Sequence, residues 1–77
     1  MKELLESMVR ELVDSPDDVE ITEEEEDDRT VIFKLKVAED DLGKVIGKKG
    51  RTANALRVLM RAASAKRGKS SIVKILD

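Results

Sequence analysis

The sequence of 77 residues has no cysteine and no histidine. Disulfide frameworks, the usual zinc sites and the commonest nucleophile and base pairs are therefore excluded together. Carboxylates and lysines remain, but without a pocket signature they form no defined acid–base pair. We expect a protein that is not an enzyme, with no catalytic residue, no metal site and no cofactor.

Aromatic residues and long apolar runs are also scarce. Phe33 is the single aromatic residue. The apolar runs are a few residues long, whereas a membrane span needs roughly 18, and the N-terminal stretch MKELLESMVREL lacks the apolar block of a signal peptide. These absences predict a cytoplasmic protein with no membrane partner. The length predicts one domain, residues 1–77, with a core that supplies only about 3–5 kcal/mol.

Charge is abundant but unevenly placed along the chain. Residues 1–41 contain 5 basic and 16 acidic side chains, a net charge of −11, and residues 42–77 contain 10 basic side chains and one acidic, a net charge of +9. An asymmetry of this kind indicates a polyanionic partner for the basic half. The overall net charge of −2 hides this basic region.

Apolar spacing and turn residues predict an α-β-β-α-α-β order. A hairpin pairs its strands antiparallel, and a helical crossover allows the last strand to join parallel. The predicted fold class is therefore α+β, a three-stranded mixed sheet covered on one face by helices. The predicted elements are helix Met1 to Asp14, a strand at Val19 to Thr22, strand Thr30 to Val37, a short helix from Asp40 to about Lys44, helix Arg51 to Lys66 and strand Ser71 to Leu76.

Six consecutive acidic residues, Glu23 to Asp28, lie between the first two predicted strands. Such a block repels itself and cannot be buried, so it predicts a solvated hairpin loop. An alternative is an anionic decoy that competes with a polyanion for the basic half.

The segment VIGKKGRT, Val45 to Thr52, is the most distinctive motif. Its glycine spacing fits neither a Walker A loop nor a dinucleotide-binding fingerprint. A helix-hairpin-helix DNA-binding turn is a closer alternative, but such turns have glycines one residue apart in an all-helical setting. Gly47 and Gly50 instead suit a loop that lets a sugar-phosphate backbone approach closely, with Lys48, Lys49 and Arg51 adding positive charge at a helix start.

The following helix extends the basic surface. We predict that its packing stripe consists of Ala55, Leu56, Leu59, Met60 and Ala63, and that Asn54, Arg57, Arg61 and Ser64 lie on another face. Arg57 and Arg61 repel each other at i and i+4, which favours contact with an external anion. Because aromatic stacking is unavailable, an apolar groove is predicted beside the loop, formed by Val45, Ile46 and Ile32 with Lys34 and Lys36.

The element order together with VIGKKG resembles the KH domain, whose G-x-x-G loop clamps about four nucleotides of RNA backbone. The leading helix and strand match the type II (prokaryotic) arrangement. The block DLGKVIGKKGRTANALR and the turn SPDDVEI resemble the KhpA (YlqC) family of small bacterial single-KH proteins, over essentially the whole chain. By this resemblance Gly47, Lys48, Lys49 and Gly50 take the loop role, Val45 and Ile46 the groove, and Arg51 and Arg57 backbone contacts.

The resemblance also implies a function and partners. It implies binding of single-stranded RNA with low sequence specificity, as an RNA chaperone or post-transcriptional regulator linked to cell elongation or division. It implies a homodimer, a heterodimer with a larger Jag-type KH protein (KhpB), or both. The alternative is a KH-fold dimerisation or scaffold module that acts mainly through protein partners.

Overall fold

The computed structural model describes residues 1–77 as an α+β fold with one sheet. Its helices are α1 (Lys2–Leu12), α2 (Leu42–Ile46) and α3 (Arg51–Ala65), and its strands are β1 (Glu20–Glu25), β2 (Thr30–Lys36) and β3 (Ser70–Ile75). Short 3₁₀ turns lie at Pro16–Asp18, Glu39–Asp41 and Lys48–Gly50. The predicted element order is confirmed. None of these helices is long and apolar enough to cross a membrane.

The sheet has the order β1-β2-β3, with β1 and β2 antiparallel and β2 and β3 parallel. Burial alternates strictly along the central strand β2: Val31, Phe33 and Leu35 are buried, and the residues between them are not. The buried side chains face the helices and form the centre of the core with Leu5, Val9, Val45, Leu56 and Met60. The predicted mixed sheet with helices on one face is therefore confirmed.

The face by which α3 packs differs from the predicted stripe. Leu56 and Met60 are buried as expected, but Ala53 and Ser64 complete the buried stripe. Leu59 is 50% exposed, and its neighbour Val58 is 53% exposed. The predicted stripe at Ala55 and Leu59 was therefore wrong by part of a helical turn, because both faces of α3 carry aliphatic residues and periodicity alone does not distinguish them.

The acidic run is only partly a loop. Glu23, Glu24 and Glu25 belong to β1, and the connection to β2 is confined to Glu26–Arg29. Extended acidic residues are tolerated here because β1 is an edge strand, its acids are exposed, and Glu24 lies 3.2 Å from the Lys34 ammonium. Asp27 closes the turn by accepting the backbone N–H groups of Arg29 and Thr30, each at 2.8 Å, which lowers the pKa of its carboxyl.

A buried carboxylate connects the end of α1 to the start of α2. We expected an acidic residue near Asp40 to cap the short helix, but the carboxylate of Asp41 makes no capping hydrogen bond to α2. It accepts instead the backbone N–H groups of Asp14, at 3.2 Å, and of Ser15, at 3.0 Å. The Lys44 ammonium lies 3.4 Å from Asp41 and 2.6 Å from Asp14.

These contacts determine the ionisation of both groups. Burial raises the pKa of Asp41, but the hydrogen bonds from Asp14, Ser15 and Lys44 outweigh burial and hold the pKa below its ordinary value of 3.8. The hydrogen bond to Asp14 is the main reason that the pKa of Lys44 is raised above 10.5.

Replacing Asp41 by asparagine should therefore destabilise the fold in a pH-dependent way. Because the folded-state pKa is lowered, the carboxylate contributes stability above about pH 4, and the contribution is lost as the pH falls through the folded-state value. We expect Asp41→Asn to melt at a lower temperature than wild type at pH 7 and the difference to shrink at pH 3, measured by circular dichroism. The exposed neighbour variant Asp40→Asn is the control, and equal differences at both pH values would contradict the assignment.

Candidate functional site

The GKKG loop, Gly47–Gly50, connects α2 to α3 in a fixed shape. The Gly50 N–H donates to the Gly47 carbonyl at 3.1 Å, and the Arg51 N–H donates to the Lys48 carbonyl. Three of the four residues have positive φ, namely Gly47 at 75°, Lys49 at 58° and Gly50 at 73°. Positive φ is rarely adopted by residues with a side chain, so this backbone path depends on the glycine spacing.

Gly47 is also restricted by space. A Cβ atom at this position would lie 2.7 Å from the Cβ of Thr52 and closer still to its Oγ1. Thr52 lies in the first turn of α3, so the loop is folded directly against the helix start. Gly50 has open space around it, and only its positive φ requires glycine there.

A cleft of about 310 Å³ opens beside this loop, between α2, α3 and the end of β3. Ile46 is 39% exposed and lines the cleft with Gly50 and Arg57. The remaining lining residues are Leu42, Ala53, Ile75 and Asp77. The cleft therefore has an aliphatic floor, with an arginine on one wall and a carboxylate at the mouth.

Arg57 joins the cleft to the sheet. Its Nε donates to the backbone carbonyl of Val73 in β3 at 3.3 Å, while the side chain stays partly exposed. Ser70 of β3 and Leu76, the residue after β3, donate their N–H groups toward β2, so by alternation the odd-numbered residues of β3 direct theirs to the free edge. The Val73 carbonyl at this edge is paired with Arg57, and Ile75, the next odd-numbered residue, lines the cleft.

The basic side chains at the loop have no carboxylate partner. Lys48, Lys49 and Arg51 are exposed, and none of them takes part in any of the ion pairs of the structure. Asn54 and Arg61 are also exposed on α3, one turn before and one turn after the arginine of the cleft. The geometry therefore brings together the loop, Ile46, Arg51, Asn54, Arg57 and Arg61.

Four residues expected in the groove lie elsewhere. Val45 is fully buried in the core, so its side chain supports α2 and offers no surface. Ile32, Lys34 and Lys36 belong to the central strand and point to the sheet face away from the helices, opposite the loop. The expectation that the edge of the Thr30–Val37 strand borders the loop was wrong, because β3 occupies that position.

Sequence reasoning missed Leu42, Ala53 and Ile75 as cleft residues. Leu42 precedes Ile46 by four residues, so helical spacing places the two on one face. Ile75 alternates with the buried Val73, which places it on the helix side of β3. Both signals are present in the sequence, but using them requires knowing that β3 is the strand beside the loop.

The acidic hairpin lies at the other end of the molecule from the GKKG loop. The Lys69 ammonium lies 3.7 Å from Glu25, and the Ser70 N–H donates to the Arg29 carbonyl. These contacts place the hairpin beside the C-terminal end of α3, whose 15 residues span about 22 Å. In a single chain, the acidic residues therefore do not cover the loop.

Comparison with known proteins agrees with this geometry. Residues 2–75 match the family model described as KhpA/KhpB, KH domain. The chain belongs to this family. Proteins named RNA-binding protein KhpA are 46% identical in Clostridium acetobutylicum, over 99% of this chain and 100% of the relative, and in Listeria monocytogenes, over 100% of both. The protein of that name from Aquifex aeolicus is 44% identical, over 100% of this chain and 96% of its own length.

No solved structure matches the chain. Membership in the KhpA/KhpB family nonetheless agrees with the observed fold, in which α3 packs on β3 and Val45 of α2 belongs to the same core as the buried residues of the sheet. The all-helical setting of a helix-hairpin-helix DNA-binding module is absent from this fold.

The two glycines Gly47 and Gly43 give a matched test of the loop geometry. Alanine at position 47 would have to adopt a positive φ, and its Cβ would clash with the Thr52 side chain. We therefore expect Gly47→Ala to lower the free energy of unfolding by about 1–3 kcal/mol. Gly43 lies in α2 with nothing near its absent Cβ, so Gly43→Ala should be neutral or stabilising by about 0.5–1 kcal/mol. Urea unfolding measures both values, and equal effects would contradict the restriction at Gly47.

Proposed function

We propose that this protein binds single-stranded RNA, with low sequence specificity, at the GKKG loop and the adjoining cleft. The observation that carries the proposal is the loop itself, a glycine-dependent turn with two exposed, unpaired lysines at the edge of an aliphatic cleft. The relatives named RNA-binding protein KhpA support the ligand class.

The backbone of the RNA is held at the loop in this proposal. Close approach is possible because Gly47 and Gly50 present no side chain, and Lys48, Lys49 and Arg51 attract phosphates without competition from a neighbouring carboxylate. Since lysine acts as a flexible point charge, these contacts do not read the bases, which favours low specificity.

The bases lie in the cleft in this proposal. Ile46, Leu42 and Ile75 offer an aliphatic surface in place of aromatic stacking. At the β3 edge, backbone groups that Arg57 does not engage, such as the Ile75 N–H, are available to the polar edges of the bases, because no further strand covers them. Asp77 at the mouth repels phosphate, which favours a path with the sugar-phosphate backbone on the loop side.

Reversing the charge of the two loop lysines tests this mechanism. About four phosphate contacts predict a log–log salt slope near −3 for wild type. We expect Lys48→Asp combined with Lys49→Asp to weaken binding of a short single-stranded RNA by roughly tenfold or more and to reduce the slope by about 1.4, since each contact contributes about 0.7. Fluorescence anisotropy at several salt concentrations measures both quantities.

The matched control makes the same charge change away from the loop, with Lys2→Asp combined with Arg29→Asp. Circular dichroism should show that both double variants remain folded. Unchanged affinity in the loop variant, or an equal loss in the control, would reject the clamp and leave only diffuse charge attraction.

We also propose that two copies of the chain associate through the exposed side of α3. Val58 and Leu59 are among the most exposed large apolar side chains. They lie one turn before Ala62, which with Leu4 lines a cleft between α1 and α3 of about 530 Å³. A small core gains stability from association, and burying this surface in a second copy removes apolar area from water.

An aspartate at Leu59 should disrupt this association. Leu59→Asp places a charge within the proposed contact. We therefore expect the variant to sediment as a monomer in sedimentation velocity at concentrations where wild type sediments as a dimer. Leu12→Asp is the matched control, because Leu12 is 39% exposed but lies at the other end of α1 from Leu4, outside this surface. A wild-type protein that sediments as a monomer, or a dimer that survives Leu59→Asp, would contradict the proposal.

The wider role is a proposal of the same kind. A protein that clamps RNA without reading its sequence suits an RNA chaperone or post-transcriptional regulator in the cytoplasm. The family model groups KhpA with KhpB, which supports a larger KH protein of the KhpB type as an alternative partner for the same surface. The predicted link to cell elongation or division stays a prediction.

A further inference from the structure

The sheet face turned away from the helices is uncovered. This open sheet face is formed by alternate residues of the three strands and by the residue after β3, namely Glu20, Thr22, Glu24, Thr30, Ile32, Lys34, Lys36, Ser70, Ile72, Lys74 and Leu76. The GKKG loop and its cleft lie on the helix side, so the open sheet face is a separate surface.

Charge is arranged in columns across this face. The β1 column carries Glu20 and Glu24, and the β2 and β3 columns carry Lys34, Lys36 and Lys74 without any carboxylate. Lys34 and Lys74 are direct partners in the parallel pair, and like charges in that position are destabilising. An external anion would compensate this repulsion.

Internal carboxylates compensate only one of the three lysines. The Lys34 ammonium lies 3.2 Å from Glu24. Lys36 is the register partner of Glu20, but neither Lys36 nor Lys74 has a carboxylate within ion-pair distance. The side of the face nearest the β3 edge therefore keeps a net positive charge.

Aliphatic side chains lie between these lysines. Ile72 is 41% exposed and Leu76 42% exposed, and they precede and follow Lys74 by two residues on the same face. Ile32 is the register partner of Ile72. Proteins that bind single strands combine a basic groove with aromatic side chains on which bases stack, and on this face aliphatic side chains take the place of the aromatic ones.

The open sheet face is continuous with the cleft around one strand. Ile75 lines the cleft, while its sequence neighbours Lys74 and Leu76 point to the opposite face. Because β3 is an edge strand, no further strand lies beside it, and Arg57 contacts the edge at Val73, two residues before Ile75. A chain that leaves the cleft at Ile75 meets Leu76 and Lys74 next.

We propose that a single-stranded RNA longer than the loop and cleft can hold continues around the β3 edge onto the open sheet face. Lys36 and Lys74 contact its phosphates there, and Ile72 and Leu76 contact its bases. The inference rests on the proposed function, because it requires the cleft to hold the first part of the RNA.

RNAs of two lengths distinguish binding at the open sheet face from binding at the GKKG loop. Oligouridines of about four and about ten nucleotides are titrated against wild type and against Lys36→Gln combined with Lys74→Gln. We expect equal affinity for the shorter RNA, and for the longer RNA a loss of about fivefold at low salt with a slope reduced by about 1.4. Lys2→Gln combined with Arg29→Gln is the control of equal charge change and should bind both RNAs as wild type does.

Amide chemical shifts give a second measurement. In wild type, the amides of Ile72, Lys74 and Leu76 should shift further with the longer RNA than with the shorter one. If the longer RNA binds the Lys36→Gln/Lys74→Gln variant as tightly as wild type and leaves these amide shifts unchanged, RNA does not bind the open sheet face, although the loop mechanism stands. If neither RNA binds wild type, or if both bind equally well after the Lys48/Lys49 reversal, the proposed function fails first.

Discussion

The carboxylate of Asp41 joins segments that are far apart in the sequence. It accepts the backbone N–H groups that follow α1 and lies beside Lys44 in α2. Since α2 has only five residues, its own hydrogen bonds cannot fix its direction, and an external anchor is needed. The position of the GKKG loop, which begins where α2 ends, depends on this contact and on the buried Val45.

The fold separates its charge along its length. Acidic residues concentrate on β1 and the hairpin, whereas the GKKG loop and the start of α3, about 22 Å away, carry three unpaired basic residues and no carboxylate. Neutralising pairs such as Glu25 with Lys69 lie at the acidic end. The basic end is therefore left free for an external anion, and the net charge of the whole chain says little about its partner.

Part of this could be predicted from the sequence, because local patterns determine it. The alternation of Val31, Phe33 and Leu35 identified the central strand, and the glycine spacing identified the loop. Which strand lies beside the loop could not be predicted, since both β2 and β3 carry alternating aliphatic residues and only the order of the strands in the sheet distinguishes them. The side of α3 that packs was ambiguous for the same reason, with Leu56 and Leu59 on different faces. The role of Asp41 depends on backbone groups 26 and 27 residues away, which no local pattern reveals.

Lys49 is the one residue with a side chain that has a positive φ. The left-handed conformation costs such a residue roughly 1–2 kcal/mol, and asparagine or glycine would adopt it more easily. Backbone conformation thus favours glycine or asparagine at position 49, whereas positive charge favours lysine, and lysine is the residue present. The hydrogen bonds from Gly50 to Gly47 and from Arg51 to Lys48 set the bend of the loop within the fold, so in the proposed RNA clamp part of the cost of ordering the loop belongs to folding. In that proposal, a cationic turn already bent by the fold favours fast capture of a phosphate backbone over selection among RNAs.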